Sequence, residues 1–216
     1  MLNMKMIENF SKEEEITNAI LHGIGFGVAV TALVLLIVYA NINGTVWHIV
    51  GFSIYGSMLC LMYLSSTLFH AFPKGSHKNF FEICDHASIY LLIAGTYTPV
   101  TFTIIKGGLG WTIFGIVWGL AVAGVIFKII WVKKFVFIST MIYIVMGWLI
   151  VMGVVPIVKE MPTISLIFLI SGGILYTLGT IFYMFRWFKY HHAIWHILVL
   201  FASLCHFFTM LFLVAE

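Results

Sequence analysis

Charge is what this sequence has least of. Across 216 residues only 9% are Asp, Glu, Lys or Arg, and Asp85 is the single aspartate. A soluble domain averages about 25% charged residues, so an ordinary water-soluble globule is excluded. No dense run of Lys or Arg is present despite a formal net charge of +3, so nucleic acid is not an expected partner. Cysteine is also scarce: Cys60, Cys84 and Cys205 are odd in number and far apart. That spacing excludes a disulfide framework and predicts buried free thiols. The first fifteen residues carry Lys5, Glu8, Lys12 and the run Glu13-Glu14-Glu15, too polar for the apolar centre of a cleavable signal peptide. Low-complexity stretches and internal repeats are absent.

What is there is apolar: 62% of the residues are hydrophobic, against roughly 45–50% in soluble domains. A bilayer accepts such a surface without a charged cover. A hydrocarbon core about 30 Å thick takes roughly 20 apolar residues in a helix. Seven stretches meet that length, at 19–40, 46–69, 83–104, 109–130, 135–156, 163–185 and 191–214. The connectors, such as "NING", "PKGSHKNF" and "VKK", are too short to hold a domain. The expected fold is therefore all-α, one integral membrane bundle of seven transmembrane helices over 1–216, with 1–18 as a cytoplasmic N-terminal segment. Ser11 and Glu14 have capping-box spacing, which predicts a short interfacial helix leading into the first span.

Lys and Arg also predict orientation. The N-terminus and the connectors after spans two, four and six hold nine of them, and the other side holds only Lys106 and Lys159. By the positive-inside bias the N-terminus is cytoplasmic and the C-terminus outside. Lys128 and Lys106 fall near span ends, where they are expected to snorkel to the interface.

Ionisable groups inside a membrane are costly and need a reason. Ser66 and His70 lie four residues apart, on one face, near the cytoplasmic end of span two. Asp85 begins span three on the same side, and His192 and His196, again four apart, begin span seven. Topology thus brings five polar residues from three helices to one leaflet. Their chemistry suits Zn²⁺, which takes imidazole nitrogen at about 2.0–2.1 Å and in catalytic sites keeps a position for water. His70, His192 and His196 are the expected ligands. Asp85 is expected to act through the bound water, whose pKa falls to about 7 on zinc, and Ser66 to hydrogen-bond that water or a substrate oxygen.

The remaining histidines read differently. His191 is turned about 100° from His192 and cannot share its face with His196. His206 lies about 21 Å deeper than His192 by helix rise and reads as a packing or second-site histidine. His86, His77 and His48 read as interfacial, and His22, four residues after Asn18, as lining the cavity mouth. Trp47, Trp111, Trp131, Trp187 and Trp195 fall near span ends, as an interfacial belt places them. Gly119 with Gly124 and Gly172 with Gly173 read as close helix contacts.

"NAILHGIG", "LSSTLFHAF", "DHASIYLLIAGTYTP" and "HHAIWHILVLFASLCHF" together resemble the hemolysin III proteins, the bacterial branch of the progestin and adiponectin receptor family. The resemblance spans essentially the whole chain. It implies a multi-pass protein of a bacterial cell membrane, with zinc near the inner leaflet held by His70, His192 and His196. It also implies that Asp85 holds the zinc-bound water and that Ser66 matches the family serine. Relatives with this constellation include ceramidases that hydrolyse lipid amides. Three functions compete: a zinc-dependent intramembrane hydrolase of lipid amides or esters, a cytolytic pore-forming protein, and a non-catalytic sensor of membrane lipid state with a structural zinc. Membrane lipids are the expected partners, and no protein partner is evident.

Overall fold

A computed structural model describes residues 10–214 of the chain. Lys5 and Glu8 of the polar leading segment lie outside the described residues. The helices are α1 Lys12–Asn43, α2 Val46–Ala71, α3 Ser76–Val100, α4 Gly107–Trp131, α5 Val136–Trp148, α6 Val154–Glu160, α7 Thr163–Met184 and α8 His191–Phe212. A π-helical turn, Thr101–Ile105, extends α3, and a 3-10 turn, Leu149–Gly153, joins α5 to α6. Among the described residues seven helical spans are long and apolar enough to cross a membrane, with α5 and α6 forming the fifth.

Helix ends extend past the apolar stretches wherever polar residues keep the helical register. The capped interfacial turn and the first span are one continuous helix: Ser11 Oγ accepts from the Glu14 N–H, and Glu14 Oε2 accepts from the Ser11 N–H. The third helix starts at Ser76, seven residues before the apolar stretch at 83. Lys78 pins those extra two turns, about 3.6 residues each. Its Nζ donates to the Phe69 carbonyl at 2.8 Å, among the orphan carbonyls at the end of α2, and meets Glu15 Oε1 at 2.8 Å. One lysine thereby joins neighbouring ends of α1, α2 and α3. The break in the fifth span has a local cause. Pro156 has no N–H to continue the ladder, so regular α-helix stops and restarts just ahead of it.

α1, α2 and α3 pack closely in sequence order, as do α7 and α8, whereas α5 and α6 touch α7 sparingly. Hydrogen bonds join helices across the apolar interior. Tyr63 Oη donates to Ser203 Oγ at 2.8 Å and Tyr97 Oη to the Met146 carbonyl at 2.8 Å. Gly124 lets the ring of Tyr90 lie directly on α4, and Gly172 does the same for His206 on α7; a Cβ at either position would collide with the ring. Gly119 has open space around it and Gly173 only a distant Trp148, so those two are not close contacts.

Three further expectations need correction. Lys128 does not snorkel: it is fully buried, and its Nζ donates to Ser139 Oγ at 2.8 Å. Trp195 is not part of the belt; it turns inward onto Gly179 and the ring of Tyr183. The three cysteines are free but half-buried.

Candidate metal centre and cavity

The last turn of α2 and the first two turns of α8 meet at one end of the bundle. There His70, His192 and His196 each present a nitrogen within 4.8 Å of the others. All three residues are buried. Two of their nitrogens are already accounted for or conspicuously idle. His70 Nδ1–H donates to Glu15 Oε2 at 2.7 Å, which leaves Nε2 with its lone pair, buried and without a partner. An orphaned buried nitrogen is costly unless something binds it. A carboxylate behind a histidine is also the usual support of a metal-ligating imidazole. The donor set therefore fits a metal ion that takes three imidazoles. Asp85 stays outside this cluster.

The start of α8 is fixed by the same helix that supports His70. Tyr190 adopts φ +67°, and its N–H donates to Glu14 Oε1 at 3.0 Å. His191 is turned away from the cluster, and its Nδ1–H donates to the Phe182 carbonyl at 2.8 Å. Phe10 lies over the histidines from the N-terminal side, 4.8 Å from His192 and 5.8 Å from His70 between ring centroids.

A cavity of about 330 Å³ begins at the cluster. His22, Ser66, Asp85, His86, His192 and His196 line its polar end. Ser66 lies against Asp85 there, and its Oγ is buried without closing a hydrogen bond. From this end the cavity runs between α3, α5, α6, α7 and α8; its wall is mostly apolar, with Tyr176, Thr177 and His206 among the exceptions. Val151, Val154, Val158 and Ile170 line it yet are 59%, 50%, 63% and 46% exposed, so it reaches the lipid-facing surface between α5–α6 and α7.

The five singled-out residues therefore converge, three as a cluster and two on the adjoining cavity wall. His22 also lines that wall. His86, expected at the interface, is buried there, with Nδ1 donating to the Glu82 carbonyl at 2.7 Å. His206 is buried against Gly172 and lines the same cavity farther from the cluster. His77 is exposed, and His48 caps α2 through Thr45.

Sequence reasoning missed Glu15 and Phe10. A readable signal existed for Glu15: it precedes Asn18 and His22 by three and seven residues and continues their inward stripe. Glu15→Gln keeps the shape but weakens the charge behind His70. We expect it to lower metal affinity by roughly 10–100-fold, the usual effect of losing such a partner. Competition of the purified variant against a metal-indicator dye measures it.

A sequence model of the family described as "Haemolysin-III related" matches residues 10–207. The chain is 48% identical over 203 residues to the "Hemolysin-3 homolog" of Bacillus subtilis, covering 94% of this chain and 95% of that protein. It is 45% identical over 202 residues to "Hemolysin-3" of Bacillus cereus, covering 94% and 92%. The human "Monocyte to macrophage differentiation factor" is 29% identical over 170 residues, covering 76% and 70%. No solved structure matches the chain.

Proposed function

We propose that this chain, which belongs to the haemolysin III-related family, is a zinc-dependent hydrolase of lipid amides or esters that works inside the bilayer. The observation that carries this reading is the cavity. It joins the polar end at Ser66, Asp85, His192 and His196 to a gap that faces lipid. A structural clamp between helices needs no such passage.

Zinc is the metal that three imidazoles and a nearby carboxylate favour, and when bound it polarises a carbonyl and makes water acidic near pH 7. The protein supplies the rest. His70, His192 and His196 would hold the ion, and Glu15 holds His70. Asp85, which lines the cavity with His192 and His196, would accept the proton that a hydrolytic water loses. Ser66 Oγ donates to the oxygen on which negative charge develops. The apolar length of the cavity holds an acyl chain and excludes bulk water, which strengthens these polar interactions. Hemolysin-3 is the name of the Bacillus cereus relative; for this chain a constitutively inserted seven-helix bundle argues against a secreted pore-former.

The test is turnover by purified protein in a bilayer, with a panel of ceramides, N-acyl lipids and phospholipids, before and after chelation. Release of fatty acid from at least one class, abolished by chelation and restored by zinc, is the expected result. If zinc-loaded protein cleaves none of them, the sensor reading replaces this one.

Orientation belongs to the same reading. The nine-to-two split of Lys and Arg supports a metal end at the cytoplasmic leaflet. Reporter fusions at Met1 and Glu216 should report an internal N-terminus and an external C-terminus; the reverse pattern would move the site to the other leaflet.

A further inference from the structure

The first helix contributes no ligand, yet each of the three histidines is backed by one residue from it or from its leading turn. Glu15 holds His70 by a 2.7 Å hydrogen bond. Phe10 lies against the ring of His192, with centroids 4.8 Å apart. His22 lies flat on His196, with centroids 3.5 Å apart and ring planes within 15°. We propose that α1 is the positioning clamp of the metal centre, and that His22 is the member of it that fixes the ring plane of His196. The inference rests on the metal-centre reading above.

His22 acts through its ring alone. It is buried, and neither ring nitrogen makes a hydrogen bond among the described residues. Its contacts are made by the ring itself: one face on His196, and an edge-on contact with Tyr63 at 5.1 Å. Tyr63 is in turn held by Ser203, through the 2.8 Å bond from its Oη to Oγ. It can come that close because position 25, one turn beyond His22, is glycine. A Cβ there would lie 2.5 Å from the Tyr63 ring. The chain of contact therefore runs from Ser203 on α8 through Tyr63 on α2 and His22 on α1 back to His196 on α8.

The other two ligands have different restraints, and the difference explains why His196 needs a stack. His70 is oriented by a hydrogen bond to a carboxylate. His196 has no such bond, since its Nδ1 is buried without a partner. With no close bond on Nδ1, and only the backbone of Asn18 on α1 as a polar neighbour there, rotation of the ring about its Cβ–Cγ axis is opposed chiefly by what packs on its faces. A flat neighbour at van der Waals distance opposes that rotation, because turning the ring drives its edge into the neighbour. The imidazole nitrogen is thereby aimed where the ion must lie before the ion arrives, which lowers the entropy lost on binding.

The test is metal affinity of the purified full chain, read by competition with a chelator of known strength. Three variants are compared: His22→Ala, His22→Phe and, on the lipid-facing side of α1, Val34→Ala. Removing the stack with Ala should weaken zinc by roughly 10–100-fold, the range for losing a group that orients a ligand. His22→Phe keeps a flat ring and should bind within about threefold of the parent, and Val34→Ala should bind like the parent. Cobalt substitution gives a second readout independent of turnover: the visible absorption of the bound cobalt should change in His22→Ala and not in His22→Phe. Equal affinity in His22→Ala and parent overturns the proposal. So does a His22→Phe variant as weak as His22→Ala, since the effect would then lie in the ring nitrogens. A parent that binds no metal defeats the metal-centre reading itself, a result distinct from either of these.

Discussion

The double variant His192→Ala with His196→Ala is expected to purify without zinc, while the parent carries about one ion per chain, the stoichiometry of a single three-histidine site. Removing two of three ligands from one helix leaves His70 alone on α2, and a lone imidazole does not retain the ion through purification. The same variant should be insensitive to chelation. In the parent, an ion held by the three histidines would join α2 to α8 near the polar end of the cavity. A ligand that binds only the folded bundle stabilises it by RT ln(1 + [L]/Kd), about 2.7 kcal/mol at one hundred times Kd. Chelation should therefore lower the melting temperature of the parent in detergent and leave the double variant unmoved. Metal analysis and a pair of melting curves check both statements. A double variant that keeps its full zinc would refute the ligand assignment, and a parent whose melt ignores verified metal removal would refute the stabilising role.

Much of this site is legible in the sequence because two periodicities act together. Four-residue spacing puts Ser66 with His70, and His192 with His196, on single helix faces. The alternation of span direction then carries both pairs, with Asp85, to one end. Neither step needs contacts between helices. What the sequence conceals is the shell behind the ligands, because that depends on which face of α1 and α4 turns inward. The information is present in part. The buried positions of α1 are Asn18, His22, Gly25, Ala29, Ala32, Leu36 and Ala40, and Glu15 extends that stripe one turn toward the interface. Along α4 the buried stripe is Gly110, Ile113, Val117, Ala121, Gly124 and Lys128. A lysine judged by depth alone reads as a snorkeller; judged by its stripe it reads as inward, which is where it lies.

Other misreadings have a different origin. Trp195 lies at a depth where belt residues are found, but depth does not specify azimuth, and its face of α8 meets Gly179 on α7. Gly119 and Gly124 are indistinguishable as letters, yet only Gly124 faces a neighbour. The cavity was also out of reach of the sequence, because it arises from a packing defect. The proline-linked break between α5 and α6 and their sparse contact with α7 open a passage that no single helix encodes. That passage matters most for function, since it separates a site that lipid can reach from a closed clamp.

Asp85→Asn puts that separation to a chemical test, and its expected result is a loss of lipid hydrolysis by roughly 10²–10⁴-fold, the usual worth of a general base. Asparagine has nearly the shape of aspartate and can still hydrogen-bond, but its amide cannot take a proton at neutral pH. Asp85 stands outside the three-histidine cluster, so the variant should retain its zinc. It lines the cavity against Ser66 instead of bridging helices as Lys78 does, so the bundle should fold as before. Zinc content and melting temperature at parental values, with turnover greatly reduced, are therefore the combination that assigns Asp85 a proton-transfer role. Loss of zinc would instead make Asp85 a ligand. Turnover equal to that of the parent would remove the carboxylate from the chemistry and leave the metal as a clamp among helices. Ser66→Ala gives the matching measurement on the donor side. It removes one hydroxyl that is buried and unbonded in the resting site. Its effect should appear in kcat with KM little changed, because a donor aimed at charge that develops only during reaction contributes nothing to binding the ground state.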